Sequence, residues 1–238
     1  MKKAPDEGLK YIFELGLERI RSTSEYTRFL KSKIGDEKGN ELIKLISDRA
    51  DKHSKSFTDD RFYSLKNESL ETALAVESCF NTDYIRKVAN WIFEHNELFG
   101  DTIADIGCDT GVITCFIAKC FPDAHVVGID RGESGIAVAR KLAEKLGLHN
   151  IEFKAETVAE DTGSYQTVFS SKTIHENLDK DGFYERKLCF FLQKLRCEPE
   201  SAFRPFRLTR LKSQKLQCEP LAWFDVIWLT YRNLCKPF

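Results

Sequence analysis

The chain lacks the features that mark several classes of protein. Its 238 residues contain no apolar stretch close to the ~20 residues that span a bilayer, so no membrane partner is expected. Met1 is followed by two lysines and then by Ala-Pro-Asp-Glu rather than by an apolar run, so no signal peptide is expected. The formal net charge of −1 gives the whole molecule no general attraction for nucleic acid.

The cysteine pattern argues against a structural metal site. None of the eight cysteines forms a Cys-x-x-Cys pair, and no histidine stands near two of them at the spacing of zinc ligands. No metal is therefore predicted. The cysteines are most simply reduced thiols, which favours a cytoplasmic protein.

The first ~80 residues show the apolar spacing of helices. Stripes within 9–20, 26–34 and 42–50 predict three helices, and further helices are predicted from Ser69 and from Thr82. The polar stretch His53–Asn67 is predicted as a loop whose aromatic residues either pack beneath it or form a lid over a ligand. Residues 1–80 are therefore predicted to form a helical extension.

From Thr102 onward, short β-like runs alternate with helical runs. Strands are predicted at 102–106, 124–130, 150–155 and 165–170, with helices through 120 and over 134–146 between them. Such alternation is typical of βαβ units, so residues 81–238 are predicted to form an α/β domain with a doubly wound, mostly parallel sheet.

The segment Asp105–Gly111 carries the chemistry. It follows a predicted strand and opens a helix, and its glycines let the backbone approach a ligand beside the free N–H groups of the helix. Asp130 ends the next predicted strand, where a carboxylate can accept hydrogen bonds from both hydroxyls of a ribose. A turn and an acid in this arrangement indicate a nucleoside-binding site.

This segment resembles the first motif of the class I S-adenosylmethionine (SAM)-dependent methyltransferases, acid-x-Gly-x-Gly-x-Gly. The resemblance implies that Asp105 lies near the methionine amino group of SAM, that Gly107 and Gly111 line the cofactor, and that Asp130 holds its ribose. Asp109 replaces the middle glycine. Its side chain is expected to bond to the backbone of the turn, with weaker cofactor binding as the alternative.

The remaining cofactor contacts are predicted beside these turns and after the third and fourth strands. The resemblance implies an acidic or polar side chain at the adenine amino group and an apolar one against the adenine ring. A solvated loop is the alternative for the residues after the third strand. The predicted residues are Cys108, Arg131, Glu156, Thr157, Val158 and Ser170. A nicotinamide-type turn is disfavoured because it would place a glycine where Val112 stands.

His175 and Glu176 follow the fourth predicted strand, at the sheet edge where ligands bind in such folds. His175 is a candidate general base for a hydroxyl or amine acceptor, and Glu176 is a second candidate. The alternative for His175 is a packing role, since methyl transfer mainly requires alignment. The predicted function is methylation of an O or N atom of a small molecule.

Two features support the alternatives. Nine basic residues against two acids between Arg186 and Lys215 would suit RNA as the methyl acceptor, or simply a solvated face. After the predicted fifth strand at Phe206–Leu211, the tail Glu219–Leu234 is expected to be a helix or partly a strand, which leaves little chain for the usual final hairpin. A truncated or non-catalytic SAM-binding protein is therefore the other alternative.

Overall fold

The computed structural model of the protein describes residues 6–20, 22–51, 60–157, 160–171 and 226–230. The helices of the N-terminal part are α1 (Glu7–Leu15), α2 (Thr23–Ile34), α3 (Asp36–Asp51), α4 (Asp60–Lys66), α5 (Leu70–Phe80) and α6 (Thr82–Glu94), followed by a 3₁₀ turn at Asn96–Leu98. The sheet part contains β1 (Thr102–Ile106), α7 (Val112–Cys120), β2 (His125–Asp130), α8 (Glu133–Lys145), β3 (Ile151–Ala155), β4 (Thr167–Ser171) and β5 (Val226–Thr230).

The sheet has the strand order β3-β2-β1-β4-β5. The first four strands are parallel, and β5 pairs with β4 in the antiparallel direction. This confirms the predicted α/β fold with a mostly parallel sheet. It also places the carboxyl ends of β1, β2 and β4 at one edge, with β1 in the centre.

The end of the chain follows one of the two predicted alternatives. Val226–Thr230 is a strand rather than part of a helix, and it takes the place beside β4. The fifth strand predicted at Phe206–Leu211 lies outside the described residues.

The prediction of a loop over His53–Asn67 was wrong in its second half, where α4 forms. Phe62 and Leu65 lie on one face of this helix and pack with Leu30 and Leu42 in a buried cluster. The three-residue spacing of the two apolar side chains is compatible with a helix, but two apolar residues among so many charged ones are too few to predict it. Residues 52–59, which include Phe57, lie outside the described part.

Two clusters of buried apolar residues connect the helices and the sheet among the described residues. The larger one joins the sheet, α6, α7 and α8 with α1, whose Tyr11, Ile12 and Leu15 are buried in it. The smaller one holds α2 to α5 together. The division of the chain at residue 80 stays a prediction. Among the described helices, none is both long and apolar enough to cross a membrane.

Helix α1 approaches α6 closely. A side chain at Gly8 would lie 2.2 Å from the backbone oxygen of Arg86, so only glycine permits this crossing. Asp6 caps α1 by accepting from the N–H of Leu9, and it also pairs with Arg86. These contacts attach the first helix to the α/β core.

Candidate functional site

The turn between β1 and α7 needs unusual backbone angles. Gly107 and Gly111 have φ values of 77° and 72°, and Asp109 has a φ of 46°. Glycine adopts these angles without strain, and aspartate is among the few other residues that tolerate them. The Gly107 N–H donates to the carbonyl of Ile129 at 2.7 Å, which ties the turn to the end of β2.

Asp130 joins this turn to the turn after β2. One carboxylate oxygen accepts from the Asp109 N–H at 3.0 Å, and the other accepts from the Gly132 N–H at 2.8 Å. Burial raises the pKa of Asp130, and these two hydrogen bonds oppose the shift. Each oxygen keeps a further acceptor position, so the carboxylate can still accept two hydroxyl hydrogens.

Asp105 is almost completely buried near the end of β1. It is 2% exposed and accepts a hydrogen bond from the Thr114 hydroxyl at 2.7 Å. Burial raises the pKa of this carboxyl to about 7, against the effect of Thr114 and with a smaller contribution from the negative charge of Asp130. A cationic ligand group beside Asp105 would restore its ionised form.

The side chain of Asp109 has a different partner from the one expected. Instead of bonding to the turn backbone, its carboxylate accepts a hydrogen bond from the ammonium of Lys66, which also lies 3.2 Å from Glu77. Burial lowers the pKa of Lys66, but the charges of Asp109 and Glu77 outweigh it and raise the pKa overall. The departure from the glycine motif is therefore matched by a lysine from α4.

Gly111 faces protein in this turn. A Cβ there would lie 2.7 Å from the Cβ of Ala139 and 2.9 Å from the Phe153 ring. The residue therefore permits close packing of α7 against α8 and β3. Its expected role in lining the cofactor stays a prediction, as does that of Gly107.

The other predicted cofactor residues occupy varied positions. The Ser170 hydroxyl donates to the carbonyl of Ile106 at 3.0 Å, so it joins β4 to β1. Cys108 is buried, which raises the pKa of its thiol, and Arg131 is exposed. The third-strand residues lie further along the same sheet edge.

Glu156 and Thr157 follow the end of β3. Glu156 lies 3.8 Å from the ammonium of Lys154, and the Thr157 hydroxyl donates to Glu160 at 2.8 Å. Glu156 therefore pairs with a residue of β3, and Thr157 pairs with a residue of its own loop. Val158, His175 and Glu176 lie outside the described residues, so their roles stay predictions.

Sequence reasoning missed the contribution of the helices before the sheet. Asn67 donates through its amide nitrogen to the Ser134 hydroxyl at 3.4 Å, and its amide oxygen is buried with no hydrogen-bond partner. Tyr84 hydrogen-bonds to Ser171 at the end of β4, and burial raises its pKa. No spacing within 60–84 could have revealed these contacts, because they depend on how the helices pack on the sheet.

The donor and acceptor pattern of the site suits a nucleoside that carries an amino group. Asp105 and Asp130 supply carboxylate acceptors, and the amide oxygen of Asn67 is a buried acceptor without a donor. A ribose supplies hydroxyl donors and the methionine part of SAM supplies an ammonium. The described residues therefore fit SAM.

Comparisons with known proteins agree with this geometry. Residues 99–207 match the family model described as "Methyltransferase domain". The chain is 38% identical over 84 residues to the ubiquinone biosynthesis O-methyltransferase of Acinetobacter baylyi, covering 33% of this chain and 34% of that protein. It is 28% identical over 109 residues to "Probable (S)-tetrahydroprotoberberine N-methyltransferase 2" of Papaver bracteatum, covering 41% of this chain and 30% of that protein.

Among solved structures, the chain resembles the magnesium protoporphyrin IX methyltransferase of Synechocystis, with bound S-adenosylhomocysteine (SAH). The TM-score is 0.39 at 16% identity, covering 64% of this chain and 87% of that one. The chain spans about a third of the length of the curated relatives that it matches.

The family match and the described sheet establish the class of the protein. Residues 99–207 match a methyltransferase domain, and together with the described sheet they support a class I methyltransferase. S-adenosylmethionine is the cofactor of this class, as the resemblance of the turn motif implied.

Proposed function

We propose that the chain is a SAM-dependent methyltransferase that acts on an O or N atom of a small molecule in the cytoplasm. The observation that carries the proposal is the Asp130 carboxylate, which bridges the turns after β1 and β2 and keeps acceptor positions for two hydroxyl groups. When bound, SAM would supply an electrophilic methyl group on its sulfonium. The residues of the chain would align this methyl group with the acceptor atom.

The proposed cofactor site combines the two turns with the polar residues around them. Asp105 would hold the amino group, and Asp130 the ribose, while Glu156 or Thr157 would meet the adenine. The other proposed contacts are Gly107, Cys108, Asp109, Gly111, Arg131, Val158 and Ser170. Their placement at the carboxyl edge of the parallel strands, for those that are described, supports this assignment.

The acceptor is proposed from the kinds of relative that match. One printed name describes an O-methyltransferase of ubiquinone biosynthesis and another an N-methyltransferase of a tetrahydroprotoberberine. Both imply small molecules with a hydroxyl or amine group. His175, or Glu176 in its place, would take the proton of that group.

The first experiment is calorimetric titration of the full chain with SAM, with Asp130→Ala alongside. We expect micromolar binding that falls by at least about 100-fold in Asp130→Ala, because two charge-assisted hydrogen bonds are lost. Asp123→Ala is the matched control, since Asp123 is an exposed aspartate before the opposite end of β2. A folded wild-type chain that does not bind SAM would overturn the proposal.

The second experiment tests the acceptor. Phenols, catechols and secondary amines would be screened with SAM labelled on the methyl group, in parallel with total RNA. Labelling of a small molecule supports the proposal, and a slower rate in His175→Ala, with SAM affinity unchanged, would assign the base. Labelling of RNA alone would instead favour the role suggested by the basic run between Arg186 and Lys215, which lies outside the described residues.

A further inference from the structure

Lys66 ends α4 and contacts the turn after β1, and the next residue, Asn67, contacts the start of α8 directly beyond the turn after β2. Lys66 donates to the carboxylate of Asp109 in the turn after β1, and Asn67 donates to Ser134 in the first turn of α8, which follows β2. The end of α4 therefore acts as a bridge across the site.

A chain of contacts runs from Lys66 to the carboxylate proposed to hold the ribose. Lys66 bonds to the side chain of Asp109, and the backbone N–H of Asp109 donates to Asp130 at 3.0 Å. Asp109 has a positive φ, and a partner for its side chain outside the turn helps to hold this backbone orientation. Lys66 is that partner.

Lys66 is also held by contacts on the side of the helical part. Lys66 is 4% exposed and has Glu77 of α5 as its second carboxylate partner. On the same helix, Phe62 and Leu65 are buried in the helical cluster. Because the charge is buried and the helix is packed, α4 cannot move away from the turn and from α5 without separating Lys66 from the carboxylates of Asp109 and Glu77.

We propose that Lys66 and Asn67 are positioning residues that hold the two cofactor turns in the geometry that binds SAM. Lys66 acts through Asp109 on Asp130, and Asn67 acts on the start of α8. The inference rests on the proposed function for the identity of the ligand. It predicts that cofactor affinity depends on a helix that precedes the methyltransferase domain in the chain.

The test compares Lys66→Met with Arg61→Met in the full chain. Arg61 also belongs to α4, but it is exposed and pairs with Glu41 at 2.6 Å, away from the turns. Calorimetry with SAM should show at least about a tenfold weaker affinity for Lys66→Met and less than about a twofold change for Arg61→Met. Lys66→Arg should recover most of the affinity, because it restores the charge.

A double variant separates positioning from a general loss of stability. Asp109→Asn should also weaken SAM binding, and Lys66→Met combined with Asp109→Asn should weaken it no more than Lys66→Met alone, because both changes interrupt the same contact. Additive losses of affinity, or a folded Lys66→Met variant that binds SAM like the wild type, would overturn the proposal.

Hydrogen exchange without ligand keeps the two proposals distinguishable. Lys66→Met should accelerate amide exchange in Asp105–Gly111, and Arg61→Met should not. If the wild-type chain fails to bind SAM, the proposed function falls, whereas the exchange result still decides whether Lys66 holds the turn. Unchanged exchange in Lys66→Met would overturn the positioning role.

Discussion

Asp105 and Asp130 are identical side chains at the ends of neighbouring strands, but their surroundings differ. Asp130 accepts two backbone N–H groups, whereas the described contact of Asp105 is a single hydroxyl in a buried position. Hydrogen bonds to a carboxylate favour its charged form, and burial disfavours it. This is why only the pKa of Asp105 is raised as far as about 7.

Replacing Asp105 with asparagine should change how stability depends on pH. The pKa of Asp105 is about 7 in the folded chain and has an ordinary value of 3.8, so the folded state binds this proton more tightly. Its contribution to stability is fully present below about pH 4 and is lost as the pH rises toward 7. The stability gain of Asp105→Asn over the wild type should therefore grow by about 3 kcal/mol between pH 5 and pH 8.

Urea unfolding at the two pH values measures this effect. Asp123→Asn, at an exposed position, should show the pH dependence of the wild type. If Asp105→Asn and the wild type lost stability in parallel, Asp105 would be ionised in the folded chain throughout this range.

At the scale of the elements, α7 begins where it does because Gly111 allows it to approach two neighbours. The residue has a φ of 72° and would place a Cβ within 2.7 Å of Ala139 and 2.9 Å of Phe153. The requirement for glycine thus combines a backbone angle with the packing of α7 against α8 and β3. The glycine in the motif is consistent with either requirement, so the sequence alone does not separate the backbone angle from the packing.

Gly111→Ala should separate these two requirements when it is compared with Gly147→Ala. Gly147 has a similar φ of 66°, but a Cβ there would meet nothing within 4 Å. We expect Gly147→Ala to cost about 1 kcal/mol from the angle alone, and Gly111→Ala about 2 to 4 kcal/mol because overpacking is added. Equal losses in urea unfolding would show that the packing around Gly111 yields easily.

The strands and helices around the site followed from periodicity, because each buries a regular face. Thr102–Ile106 is nearly continuous in its burial and is followed by glycine, which is a clear signal for a central parallel strand. The helix α4 was missed because only two apolar side chains in a charged stretch carry its pattern. Short elements that are stabilised by packing leave a weak trace in sequence.

At the scale of the whole molecule, the helices before the sheet and the sheet itself share the site. Helix α1 lies in the main cluster, and the end of α4 touches both turns. A ligand bound to the turns should therefore stabilise more of the chain than the methyltransferase domain alone, because any unfolding that undocks α4 also weakens binding.

Saturation with SAM should stabilise α4 as well as the turns. At a concentration of about 100 times its Kd, SAM should raise the free energy of unfolding by about 2.7 kcal/mol. Hydrogen exchange under the same conditions should slow in Asp60–Lys66 as well as in Asp105–Gly111. At the same SAM concentration, Asp130→Ala should gain at most about 0.4 kcal/mol and show much less slowing of exchange. Slowing confined to the turns in the wild type would mean that α4 is independent of the ligand.

The α/β architecture, the turn between β1 and α7 and the acid at the end of β2 could be predicted from the sequence, because they depend on local periodicity and on residue types at short spacing. Only the tertiary structure decided the partner of Asp109, the burial of Asp105 and the arrival of Lys66 and Asn67 at the turns. These features join residues that are about 40 positions or more apart or depend on dielectric surroundings. The identity of such a neighbour depends on how helices pack on the sheet, which no local pattern encodes.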